Sequence, residues 1–398
     1  MKFLIVQALW TLTNAVDIME TLSRMGYEVE EYPEVLKATS SLDDHEVEEL
    51  MIYAKEHQVQ VILSIYFVMN AALAAYKNSI KYVSVVWDAP YTQVYNPLSK
   101  VGNVWITTFD KLDMERFSAN GMPHVLYQPL SVNRENVLKW NKDIQKTLQG
   151  HYIHDISFIG NLYADNLYKK NLKYIPAEFQ YYFNSIFDEA LFKWDGVNRI
   201  CGKTSAEIIE CIKRISPHFV IPNGQDMEDV RYFEILGLIR EVANIERIAV
   251  LNLLAEEHSV ILYTSDHKAA EEKLKGVEIG PPVEYGKATA LVYAGSKINL
   301  NISLKGIEGG TPQRIMDIMG AGGFVLTSYC AETAELFIED QEIVMFRTPE
   351  ELIEKIDYYL AHDKEREQIA QRGHEKVMKC YTYENKLSEL IAWITEEM

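Results

Sequence analysis

Cysteine is scarce in this chain of 398 residues. The four that occur, Cys201, Cys211, Cys330 and Cys380, form no C-x-x-C pair and no metal-like spacing. That excludes a disulfide framework and a zinc-ribbon core, and it suits a reducing compartment, so a cytoplasmic location is expected. Long apolar runs are also missing. No stretch reaches the roughly 18–20 residues of a membrane span, so no transmembrane segment is expected. Residues Met1 to Gln7 are too few for a signal-peptide core and read instead as a first strand. Positive charge is short as well: 39 Lys and Arg stand against 58 Asp and Glu, a formal net charge of −19. Nucleic-acid binding needs clustered cations along phosphates, so that class of partner is not expected. A generally adhesive anionic-membrane surface is disfavoured for the same reason. Tandem repeats and low-complexity tracts are absent. His124, His151 and His154 are scattered without ligand spacing, so no metal site is expected.

What the chain has is enough apolar residue, 48%, for more than one core, and a length that suits two domains. Apolar segments with strand character alternate with amphipathic ones. Lys2–Val6, Tyr27–Tyr32, Val59–Tyr66, Tyr82–Trp87, Val104–Thr108 and His124–Tyr127 read as strands. Between them Ala15–Met25, capped by Asn14, and Asp44–His57, Ala71–Lys77 and Lys111–Asn120 read as helices. A second series starts at Ile156 and is interrupted by a mostly helical stretch from about 165 to 257. It resumes with strands at Ser259–Tyr263, Val277–Ile279, Ile298–Ile302, Phe324–Leu326 and Glu342–Phe346, then helices Glu350–Leu360, Lys364–Lys379 and Tyr383–Glu397. Strand–helix alternation of this kind implies mainly parallel, doubly wound sheets. Domains are expected at 1–150 and 151–382.

The segment Ser296–Ser328 carries the most information. Ile298, Leu300 and Ile302 alternate with Asn299, Asn301 and Ser303, the period of a strand. Gly306, Gly309 and Gly310 follow. Thr311 is placed to cap a helix with Pro312 at its first position, and Ile315, Met316, Ile318 and Met319 form its apolar face. A helix start behind a glycine loop favours an anion through free N–H groups and the helix dipole. Arg314 adds a fixed cation, and Asp317 one turn on is suited to accept ribose hydroxyls. The competing reading is an ordinary strand–helix–strand unit with glycines for close packing.

Several pieces together resemble a known family: SFIGNLY at 157–163, IERIAVLNLLAEEHSVILYTS at 245–265, YAGSKINLNIS at 293–303, GTPQRIMDIMGAGGFVLTSY at 310–329 and EELIEKIDYYLAHDKEREQIAQRGHEKV at 350–377. They are similar to the C-terminal half of bacterial CgeB-like, spore-maturation-type group 1 glycosyltransferases. The preceding half, with its strand ending WDAPY, resembles the domain that accompanies it. The resemblance implies the GT-B fold, with two Rossmann-like domains facing a cleft, a helical insertion in the second, and the last helix, about 383–398, returning to the first. It implies a hexosyltransferase with no cofactor. The donor would be a nucleoside diphosphate sugar, UDP-linked, and the acceptor a protein, glycan or cell-surface precursor. The chain departs from the family in one place. Many retaining members carry a Glu, seven residues and a second Glu, whereas here Asp317 takes the second position, Gly309 the first, and Glu308 is one residue out of register.

Under that resemblance the candidate donor residues are Gly160 and Asn161 after the first strand of the second domain, Tyr263 and Thr264 after another, and Asn301 at the end of a third. The phosphate cradle is Gly309, Gly310 and Thr311, Arg314 is set against the diphosphate, and Asp317 against the ribose. Tyr285 is a second stacking candidate beside Tyr263. In the first domain Asp88 follows a strand and precedes Ala89-Pro90. It is the candidate general base on an acceptor hydroxyl, with a plain turn residue as the alternative. Trp10, Thr13 and Asn14 are placed to line the same cleft. The rival to an enzyme is a non-catalytic nucleotide- or partner-binding protein that keeps the same shell. A GT-B epimerase or phosphorylase is a second rival.

Overall fold

The computed structural model describes residues 1–8, 12–36, 42–220 and 227–396, and in it two parallel sheets of six strands each organise two separate units. The first sheet contains β1 (Lys2–Val6), β2 (Glu28–Glu31), β3 (Val61–Ile65), β4 (Lys81–Val85), β5 (Val104–Thr108) and β6 (His124–Tyr127), in the order β2-β1-β3-β4-β5-β6. Its inner strands are apolar on both faces because helices cover both. Leu4, Val6, Ile62, Tyr82, Val104 and Ile106 pack on one side with Val47 and Leu50 of helix Asp44–Glu56 and the alanines of helix Met69–Lys77. Phe3, Ile5, Val61, Leu63, Val83 and Trp105 pack on the other with Ile18 and Leu22 of helix Leu12–Arg24.

Helix Tyr383–Glu396 completes that second face. Leu387, Leu390, Ile391 and Ile394 enter the same core, each buried side chain contributing about 1.5–3 kcal/mol over an exposed one. Gln128 Nε2 donates to the Lys386 carbonyl at 2.8 Å, and the Trp87 and Tyr383 rings stack with centroids 6.2 Å apart.

The second sheet contains β7 (His154–Ile159), β8 (Val260–Tyr263), β9 (Glu278–Gly280), β10 (Ser296–Asn301), β11 (Val325–Ser328) and β12 (Val344–Phe346), in the order β12-β11-β10-β7-β8-β9. The chain leaves β7 on one side of the sheet order and returns at β10 on the other. The crevice between their carboxyl ends is therefore the topological switch point, the usual ligand position in such sheets. The connection from β7 to β8 holds helices Leu167–Asn171, Ala177–Ala190, Ala206–Ile215, Asp229–Phe233 and Arg240–Leu254. The alternation read in β10 is real, but its polar half is not solvated. Asn299 and Asn301 are buried, and Asn299 bridges the Tyr293 carbonyl (2.9 Å) and Ser157 Oγ (3.0 Å). A sheet covered on both faces must satisfy such groups internally.

Some boundaries differ from the sequence reading. Helix Arg134–Leu148 belongs to the second unit, which begins at Arg134 rather than after 150, because this helix packs on helix Lys287–Ala294. Helix Leu12–Arg24 starts ahead of Asn14, which is therefore not its cap; Thr13 lies in that helix too, and Trp10 lies outside the described residues. No helix among the described residues is long and apolar enough to cross a membrane.

Candidate functional site

Phe158 near the end of β7 is fully buried, and two guanidinium groups lie against its ring. Arg314 sits 5.0 Å and Arg247 5.2 Å from the centroid. Arg314 comes from the first turn of helix Gln313–Gly320 and donates through Nη1 to Asn301 Oδ1 at 2.6 Å. Asn301 is in turn held by Ser303 Oγ (2.9 Å) and Thr327 Oγ1 (2.8 Å), so the arginine is aimed by a network rooted in β10 and β11. Gly160 explains itself here. A Cβ at that position would lie 3.0 Å from both Arg314 Nη2 and Phe158 Cζ. Its backbone N–H pairs with the Tyr263 carbonyl at 3.0 Å, which leaves the loop lying directly under the guanidinium.

Arg247 was assigned no role from the sequence. It is 2% exposed on helix Arg240–Leu254 and donates to the Asn161 carbonyl and, at 2.6 Å, to the Ile302 carbonyl. Burial, with the neighbouring Arg314 as a further cause, pulls its pKa down to about 10, so it stays charged at neutral pH. Among the described residues no carboxylate lies within ion-pair distance of either arginine. The legible signal was positional: Ala243, Val250, Leu251 and Leu254 form the buried stripe of this helix, and Arg247 falls on it. Asp266 is a second residue the sequence reading passed over. Its Oδ2 accepts from the Leu162 N–H at 2.8 Å and its own N–H donates to Thr264 Oγ1 at 3.0 Å, tying the loop after β7 to the loop after β8.

Asp317 lies half-buried one turn beyond Arg314. Gln313 Nε2 donates to its Oδ1 at 2.7 Å and the Tyr285 hydroxyl at 3.2 Å. The helix therefore brings Asp317 and the Gly280–Tyr285 loop together, with Arg314 toward the switch point. Asn161 is exposed, and its Oδ1 accepts from the Tyr163 N–H. Tyr263 points elsewhere. Its hydroxyl meets His154 Nε2 at 2.9 Å and its ring lies against Gly280, so the side chain runs back toward the amino end of β7.

Thr311 does not cap the helix. Pro312, with φ −59° and ψ 145°, occupies the cap position instead. The Thr311 hydroxyl turns inward to Glu332 and, at 3.0 Å, to Thr333 Oγ1. Any contribution of Thr311 to an anion must therefore come from its backbone. Gly309 and Gly310 are buried beside it, and Cys330 Sγ lies 3.4 Å from the Gly310 carbonyl. Glu308 accepts from Asn198 Nδ2 at 2.8 Å and lies 3.8 Å from Arg231, on the margin of a pocket of about 470 Å³ lined by Trp194, Lys305 and Tyr329.

In the first unit Asp88 lies just past β4 and is exposed. Tyr66, just past β3, hydrogen-bonds to it, and burial together with the Asp88 carboxylate holds the phenol well above its ordinary pKa. Tyr66 has φ +64°, a conformation uncommon for a residue with a side chain, so the backbone here is held in place by its surroundings.

Residues 245–392 match the model of a family described as glycosyl transferase-like. No curated protein matches the chain in sequence. Among solved structures, a glycosyltransferase from Rickettsia africae is similar over 99% of this chain and 98% of its own, with 10% identity and a TM-score of 0.55. Sucrose-phosphate synthase from Thermosynechococcus elongatus is similar over the whole of both chains, with 8% identity and a TM-score of 0.57. Anabaena Alr3699/HepE, solved with UDP-glucose, is similar over the whole of both chains, with 10% identity and a TM-score of 0.54. At these identities the likeness is one of fold, and the fold is GT-B.

If Asp317 accepts the ribose hydroxyls, Asp317→Ala should weaken UDP and uridine alike and leave the binding of inorganic diphosphate unchanged. Calorimetry with the three ligands reads this out. Equal loss for all three, with a lowered melting temperature, would mean that Asp317 instead supports the helix through Gln313 and Tyr285.

Proposed function

We propose that this chain is a glycosyltransferase that takes a hexosyl group from a UDP-linked sugar and passes it to a protein, glycan or cell-surface precursor, as CgeB-like enzymes of this fold would. The observation that carries the reading is the pair of arginines at the β7–β10 switch point. Two guanidinium charges with no carboxylate in ion-pair range among the described residues, one of them buried, are costly unless an anion joins them. A diphosphate has the required charge, and Asp317 lies one turn away along the helix with the Tyr285 hydroxyl donating to it, where the nucleoside of the same molecule would extend. The family match over 245–392 and the UDP-glucose bound by Anabaena HepE support the same substrate class. In that arrangement Arg314 stabilises the diphosphate as it takes up charge on leaving. Gly160 lets it approach the backbone, and Asp317 orients the ribose. Asp88 is the proposed base on the acceptor.

The test is a panel of nucleotide sugars incubated with the full chain, with released nucleoside diphosphate read by mass spectrometry. Slow release of UDP from one UDP-hexose without added acceptor is the expected result. Tight UDP binding with no turnover of any donor would instead identify a nucleotide-binding protein that keeps the shell of the enzyme.

A further inference from the structure

Arg247 never reaches the surface, yet it touches both walls of the switch-point crevice. Its Nη1 bonds to the carbonyl of Asn161, two residues past the end of β7, and its Nη2 to the carbonyl of Ile302, one residue past the end of β10. Each of these peptides is also held from its other side. The N–H of Leu162 goes to Asp266 Oδ2 at 2.8 Å, and the N–H of Ser303 to Ser328 Oγ at 3.0 Å. A planar peptide fixed at both its carbonyl and its N–H has little freedom left. Beyond the paired part of β7 and β10, one guanidinium therefore ties the two loop roots on either side of Arg314 to each other.

A neutral donor would serve for two carbonyls. The chain instead buries an ion, places it against the same phenyl ring as a second arginine, and leaves its Nε without a hydrogen-bond partner. The charged or titratable groups facing it are Arg314, Tyr163, whose ring centroid is 4.9 Å away, and Glu246. Glu246 does not compensate it by pairing. Its Oε1 accepts from the Phe192 N–H at 2.7 Å and meets Lys305 Nζ at 3.2 Å. Burying an unpaired like-charge neighbour next to Arg314 opposes folding, and it becomes favourable once an anion occupies the crevice.

We infer that Arg247 is a positioning residue of the diphosphate site, an inference that rests on the reading of that site given above: it ties together the loops after β7 and β10 around Arg314 and adds a second positive charge behind them. It touches no ligand atom itself. Its removal acts through the loops and the local potential.

The experiment uses the full chain with two variants, Arg247→Lys and Arg247→Gln, and measures UDP and uridine binding by calorimetry from pH 7 to pH 9 alongside thermal melts. Lysine keeps the charge but bonds one carbonyl at a time, and at this buried position beside Arg314 its ammonium is pushed to lose its proton in the range measured. Glutamine keeps a donor and removes the charge. The expected result for Arg247→Lys is about tenfold weaker UDP binding at pH 7. Its UDP affinity relative to wild type falls about a further tenfold by pH 9, while uridine moves less than twofold. Arg247→Gln should bind UDP as weakly at pH 7 as the lysine variant does at pH 9, with no pH trend relative to wild type. The inference is overturned if UDP and uridine weaken together in both variants without a pH trend, the pattern of a purely structural residue, or if neither variant loses UDP affinity. A wild-type chain that binds no UDP would remove the reading of the site and this inference with it. Wild-type binding with an unresponsive Arg247→Lys removes the inference alone.

Discussion

Arg314→Ala will weaken UDP binding by about 1.5–3 kcal/mol and leave uridine binding nearly unchanged, the range expected for a charge-assisted hydrogen bond to phosphate. The asymmetry between the two ligands is the content of the prediction. Arg314 lies over Phe158 and against Gly160, within reach of the crevice, and its Nη1 is oriented by Asn301. The truncation also leaves Asn301 Oδ1 without that donor in a buried position, so the melting temperature should fall. Arg314→Lys separates the two effects, because it restores charge without the forked geometry and should recover part of the UDP affinity. Equal loss of UDP and uridine in the alanine variant, or loss of neither, would show that Arg314 serves only to hold Asn301 and the end of β10.

The fold was largely legible because its strands are short apolar runs between turn signals. β5 and β6 have the bounds read from VWITT and HVLY, β2 and β3 lie within the segments assigned to them, and β4 begins one residue earlier and ends two residues earlier than its segment. Helix Lys287–Ala294 was not legible. Its sequence, KATALVYA, has almost no polar face, because Ala290, Val292 and Tyr293 are buried between the sheet and neighbouring helices, and amphipathic periodicity is the signal on which such a reading depends. The boundary near 150 was misplaced for a related reason. The polar run around Lys139–Gly150 has a linker's composition, but Val137 and Ile144 anchor it as a packed helix of the second unit.

For the site, the local motif was readable and its long-range partners were not. Gly160 and Asn301 were singled out at strand ends and Arg314 and Asp317 from a glycine loop and a helix start, and Gly160 and Asn301 prove to be neighbours of Arg314. Thr311 shows the limit. A threonine before proline reads as a cap, yet its hydroxyl finds Glu332 and Thr333 from a helix that the local pattern does not mention. Tyr263 shows it too, since the direction of a side chain at a strand end depends on His154, 109 residues away. Arg247 was hidden because an arginine on a helix that also carries Arg240, Glu241 and Glu246 is a signal only once its burial is known.

Asp88 is the candidate base in the first unit, and its replacement has the largest expected effect on turnover. Asp88→Asn should keep UDP affinity and reduce transfer from the donor identified by the panel about 10²–10⁴-fold, the usual contribution of general base catalysis. Asp88 lies past the carboxyl end of β4, on the side of a doubly wound sheet where ligands bind, and the Tyr66 hydroxyl beside it fixes its carboxylate. The change is nearly isosteric, and Tyr66 can donate to an amide oxygen as it does to a carboxylate oxygen, so the melt should hardly move. Tyr66→Phe is the companion variant. If Tyr66 orients the base, transfer falls in that variant by less than in Asp88→Asn, and donor affinity is unaffected. Transfer by Asp88→Asn near the wild-type rate would leave Asp88 as a turn residue before Ala89-Pro90. The acceptor proton would then pass to the leaving phosphate held by Arg314, which is the route open to a retaining enzyme without a separate base.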